Sequence, residues 1–150
     1  MNTESSSPNW IAQRTLITND ANKENIEIFI GKPEVTATGT FQCAYQVVRR
    51  NIEDNVQYVK GIDSFQALML AFEGIRNTID KTGLSVTWQG GEPGDHGFTR
   101  FVPQYYFGRE FSKRLEKIIE DEVEAEIKKF SNVKREKSLI AGQKPDIYKQ

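Results

Sequence analysis

The chain has 150 residues, enough for one domain with a buried core. Hydrophobic residues make up 37% and charged residues 27%, and the net charge of −1 lacks the basic excess of a dedicated nucleic-acid binder. A single cysteine, Cys43, rules out an internal disulfide framework.

Residues 1–9 are polar and Ser-rich, and they read as a tail rather than a secretion signal. No apolar run approaches the roughly 20 residues that a bilayer crossing needs, so no membrane association and a cytoplasmic location are expected. A first strand is expected over Trp10–Thr18, with imperfect alternation, and Asn19-Asp20-Ala21-Asn22 signals a turn. Ile26, Ile28 and Ile30 alternate as a half-buried strand that Gly31-Lys32-Pro33 stops. A third strand over Thr40–Arg49 places Phe41, Cys43, Tyr45 and Val47 on one face; a polar turn at 51–55 and a return strand over Val56–Lys60 follow.

Asp63 stands three residues before Gln66, the spacing of a capping box, and Gly83 supplies a stop. Between them Phe65, Leu68, Phe72, Ile75 and Ile79 recur at helical spacing, widened by Met69 and Ala71, which predicts a helix over 64–81 with that stripe facing the core. Leu84, Val86 and Trp88 alternate as a fifth strand, and the glycine-rich loop Gly90–Gly97 follows. A second helix is predicted over 109–130, with Phe111, Leu115, Ile118, Ile119, Val123, Ile127 and Phe130 as its inner stripe. The pattern gives an α+β fold: a four- to five-stranded, mainly antiparallel sheet, one helix on a face and a second long C-terminal helix. The domain is expected to span 10–130, with 131–150 as a weakly ordered tail.

Candidate chemistry is sparse. The loop lacks the Gly-Lys-Ser/Thr ending of a phosphate loop and the spacing of a dinucleotide fingerprint, so no cofactor is expected. Glu92, Asp95 and His96 are the one place where a histidine meets carboxylates in sequence; they form an alternative ligand or enzyme site, while no metal site is expected. Cys43 reads as a small apolar residue on an inward strand face, and Asp63 and Ser64 as helix caps rather than catalysts. No catalytic constellation emerges. The aromatic segment from Phe98 to Phe111 carries Arg100, Phe101, Tyr105, Tyr106 and Arg109, residue types that anchor protein interfaces.

Gly61-Ile62-Asp63-Ser64-Phe65-Gln66-Ala67-Leu68, then Ala71, Trp88-Gln89-Gly90-Gly91 and Gly97-Phe98, form a recurring pattern. With Ile30-Gly31-Lys32-Pro33 and Cys43-Ala44-Tyr45-Gln46-Val47, it resembles a group of short uncharacterised bacterial proteins carrying a domain of unknown function. The resemblance covers residues 10–98 and implies a bacterial α+β module, with no catalytic residues attached. With no catalytic constellation, an aromatic-rich connector and a charged long helix, the leading expectation is a non-enzymatic module whose partner is another protein, with an immunity or antitoxin-like role as the narrower form by class-level analogy. Nucleic acid is disfavoured by the charge balance, and the long C-terminal helix offers a route to a homo-oligomer.

Overall fold

A computed structural model describes residues 7–50, 55–101 and 107–142. The turn expected at 51–55 falls almost wholly outside these residues, as do most of the N-terminal segment and the last eight residues of the C-terminal one. The chain divides into two units, residues 1–101 and 102–150.

In the first unit the strands are β1 (Trp10–Thr18), β2 (Asn25–Gly31), β3 (Glu34–Val35), β4 (Phe41–Arg49), β5 (Gln57–Gly61) and β6 (Val86–Thr87). All pairings are antiparallel. β1, β2, β4 and β5 form a meander; β6 adds beside β1, and β3 pairs with the β4 end that β2 leaves free. The α+β expectation is borne out. The extra strand is β3, a two-residue pairing too short to give a periodic signal.

Alternation explains which face is buried. Leu16 of β1, Ile26, Ile28 and Ile30 of β2, and Cys43, Tyr45 and Val47 of β4 all turn inward. The β1–β2 turn closes on Asp20, whose Oδ1 accepts from the backbone N–H groups of Asn22 and Lys23. Thr18, itself buried, donates its hydroxyl to the same oxygen.

Helix α1 (Ser64–Thr82) starts with a reciprocal cap. Asp63 accepts from the Gln66 N–H at 2.7 Å, while Gln66 Oε1 accepts from the Ile62 N–H at 2.7 Å. It ends at Gly83, which is left-handed and donates to the Asp80 carbonyl. Between the caps the expected stripe holds at Ala71, Ile75 and Ile79, but the helix is rotated so that Phe65, Met69 and Phe72 leave the core. Ala67, Ala71, Ile75 and Ile79 are the buried residues, and Phe65 and Phe72 are exposed. The physical reason is close approach to β4 and β5, where small residues let the helix settle near the sheet. At Gly74 an added Cβ would lie 2.7 Å from the Tyr45 ring.

The second unit holds α2 (Arg109–Gly142), which runs twelve residues past the expected end at Phe130. Val133 prolongs its apolar period. The apolar residues expected on one face lie there, yet Ile118, Ile119, Val123, Ile127 and Phe130 are exposed, because among the described residues of the unit α2 has no second layer to cover them. Among the described residues no helix is long and apolar enough to cross a membrane.

Candidate protein-docking surface

With Ala67, Ala71, Ile75 and Ile79 turned to the core, three large residues of α1 face outward. Phe65 is 78% exposed, Met69 40% and Phe72 40%, at spacings of four and three that align them along one ridge. Ile62, 73% exposed, extends the patch before the N-cap. Isolated exposed apolar residues are ordinary, whereas a contiguous row with two phenylalanines is a candidate docking surface.

The ridge runs into a groove. Phe72 and Ile75 of α1, Ile28 and Ile30 of β2, Ala12 and Arg14 of β1, and Phe98 line a cavity of about 200 Å³ that opens to solvent. α1 packs mainly on β4 and β5, and the segment after β6 brings Trp88 and Phe98 against β1.

That segment is tightly built. The Gly91 N–H donates to the Trp88 carbonyl, with Gln89 and Gly90 both at positive φ, as a type I′ turn requires. The Trp88 N–H donates to the Asp95 carbonyl, and the Gly94 N–H to that of Val86. The loop thereby brings Trp88 and Phe98 onto opposite sides of one side chain. The Arg14 guanidinium lies 4.0 Å from the Trp88 ring centre and 4.4 Å from that of Phe98. Its Nη1 donates to the carbonyls of Gly97 at 2.7 Å and His96 at 3.2 Å. Burial lowers the Arg14 pKa from its ordinary value, and the nearby Asp95 carboxylate opposes that shift. At Gly97 a Cβ would lie 2.5 Å from the Trp88 ring, and its φ is +67°, so both space and backbone require glycine there.

The residues singled out in the sequence fall as follows. Asp95 Oδ1 accepts from the Gly97 N–H, and Glu92 is exposed, its carbonyl accepting from the Asp95 N–H. The histidine turns away from both towards α1. His96 Nδ1 accepts from the Phe98 N–H at 3.0 Å, which leaves the proton on Nε2, 3.4 Å from Asp80 Oδ1. Nδ1 thus closes a local turn within the loop, and Nε2 ties the loop to the helix. The Phe101 N–H donates to Glu73 at 2.9 Å, and Arg76 bridges Glu73 and Asp80 along the same face. Arg100, in the first unit, and Arg109, in the second, are exposed and Phe101 is half-buried, whereas Tyr105 and Tyr106 lie outside the described residues. Among the described residues no three His, Cys, Asp or Glu side chains gather as a metal site. Cys43 is buried, its thiol donates to the Gly31 carbonyl at 3.3 Å, and burial pushes its pKa up to about 11.

Sequence reasoning misses the ridge and the clamp. Periodicity assigns Phe65 and Phe72 to the core, and the contrary signal is the small-residue row Ala67, Ala71 and Gly74. Arg14 is legible as the one charged residue sharing a face with Ala12, Leu16 and Thr18.

No curated protein and no solved structure matches the chain. A family model described as a domain of unknown function, DUF6968, matches residues 12–100, which span the clamp, the groove and the ridge. The uncharacterised domain read from the motifs is borne out, and the chain belongs to the DUF6968 family.

Proposed function

We propose that this domain is a non-enzymatic protein-binding module, and that the ridge Phe65, Met69 and Phe72 with the adjoining groove is its docking surface. The observation that supports the reading most is the rotation of α1, which buries Ala67, Ala71, Ile75 and Ile79 and leaves two phenylalanines and a methionine largely to water. Such side chains dock an apolar partner segment through buried area, while Arg76 and Glu73 along the helix supply a charged rim. The engagement of both His96 nitrogens favours a structural role for the glycine loop over chemistry there. The narrower role, an immunity or antitoxin-like protein in a bacterial cytoplasm, rests on the resemblance and on class-level analogy.

The test is paired capture from lysate of the source organism, using the full chain and its Phe65→Ser/Met69→Ser/Phe72→Ser variant. A stoichiometric protein held by the first and lost by the second supports the docking surface, and a toxin as that protein supports immunity. Equal retention by both removes the ridge from the interface.

A further inference from the structure

Helix α2 carries a second exposed apolar surface, independent of the α1 ridge. Its 34 residues span about 50 Å. Along it Ile119, Val123 and Ile127 repeat every four residues and Phe130 and Val133 every three, all of them exposed. An isolated helix with such a stripe open to water draws little stability from propensity alone, and covering the stripe is what would hold it.

Charge along the helix identifies what covers it. Residues 120–126 hold Glu120, Asp121, Glu122, Glu124 and Glu126 with no basic residue. Residues 128–134 hold Lys128, Lys129 and Lys134 with no acidic one. The two blocks flank Ile127 symmetrically. We propose that α2 pairs with α2 of a second copy of this chain, antiparallel, with the two helices crossing near Ile127. That arrangement sets each acidic block against the other copy's basic block and lays stripe on stripe. A parallel pair would stack the carboxylates of one acidic block on those of the other and is disfavoured by repulsion. The Lys117–Asp121, Lys128–Glu124 and Lys129–Glu126 pairs within the helix are exposed and weak, so their charges can exchange for those of the partner.

Two measurements on the full chain test this. Light scattering at tens of micromolar should give twice the chain mass for the native protein. Ile119→Ser with Ile127→Ser should give the single-chain mass with the melting of residues 1–101 retained. A native monomer overturns the proposal, including one in which Ile127 is shielded by its own chain. The second measurement needs no core disruption: Ile127→Cys and Leu115→Cys, separately, are oxidised with diamide. An antiparallel pair crossing at Ile127 brings the two thiols introduced there together. Position 115 stands about 18 Å from the crossing and about 36 Å from its copy, far beyond disulfide reach. Buried Cys43 does not compete. A covalent dimer from Ile127→Cys but not from Leu115→Cys is expected, and linkage through Leu115→Cys, or through neither, overturns the arrangement.

Discussion

Truncating Phe65 and filling Gly74 discriminate between the two ways of turning α1. If the phenylalanine stripe faced the core, Phe65→Ala would cost about 3–5 kcal/mol, the usual loss for a buried aromatic. In the structure Phe65 is 78% exposed, so only about a fifth of its side chain is covered. A phenylalanine buries about 150–250 Å² when fully enclosed, so the covered part is worth about 1 kcal/mol at roughly 25 cal/mol per Å². Gly74→Ala runs the other way. By helix propensity it should stabilise by about 0.5–1 kcal/mol, but its Cβ would lie 2.7 Å from the Tyr45 ring. Overpacking of that kind costs about 1–3 kcal/mol, which outweighs the propensity gain and gives net destabilisation. Urea unfolding followed by tryptophan fluorescence measures both variants on one scale. Phe65→Ala within about 1 kcal/mol of native, with Gly74→Ala clearly less stable, is the expected result. A loss of about 3 kcal/mol or more at Phe65 with a stabilised Gly74→Ala would refute the orientation of α1, and the exposed ridge with it.

Arg14→Met keeps the apolar stem but removes the charge between two rings and the donors to two carbonyls. It should cost about 2–4 kcal/mol and speed amide exchange at Trp88 and Gly94 before the β2–β4 core exchanges. Asp63→Ala deletes the accepting half of the α1 cap and should cost about 1 kcal/mol in the same unfolding assay, without changing the denaturant slope. Cys43 gives a pH signature. Its folded pKa is about 11, raised by burial above the ordinary value near 9.0, so the unfolded chain loses this proton first. Its stabilising contribution is complete below about pH 9 and declines as pH rises towards 11, and Cys43→Ala should lack that part of the alkaline decline in thermal melts.

Local chemistry is legible in the sequence where one short segment carries the whole signal. Trp10–Thr18 emerges with its predicted bounds because the Asn19–Asn22 turn is written in residues that accept their neighbours' N–H groups. The cap at Asp63 and Gln66 and the stop at Gly83 are equally local. What fails needs distance. Periodicity marks both faces of α1, and only the sheet decides that Ala67 and Ala71 approach it while Phe65 does not. The clamp of Trp88 and Phe98 about Arg14 joins residues more than seventy positions apart, a separation with no trace in spacing. The glycine loop invites a ligand reading because glycine density does not tell a cradle from a set of tight turns. Its hydrogen bonds show the turns. In the aromatic segment the two tyrosines of the expected interface fall outside the described residues.

That Phe65, Met69 and Phe72 bind a protein partner is tested most directly by calorimetric titration of the captured partner. The purified partner is titrated into the native chain and into the Phe65→Ser/Met69→Ser/Phe72→Ser variant, whose fold is first verified by its melting. Loss of buried aromatic anchors worth about 2 kcal/mol or more should weaken binding at least about 30-fold while leaving the fold intact. Affinity within about twofold of native, in a variant that melts as the native chain does, would contradict the account and move the interface elsewhere on the molecule.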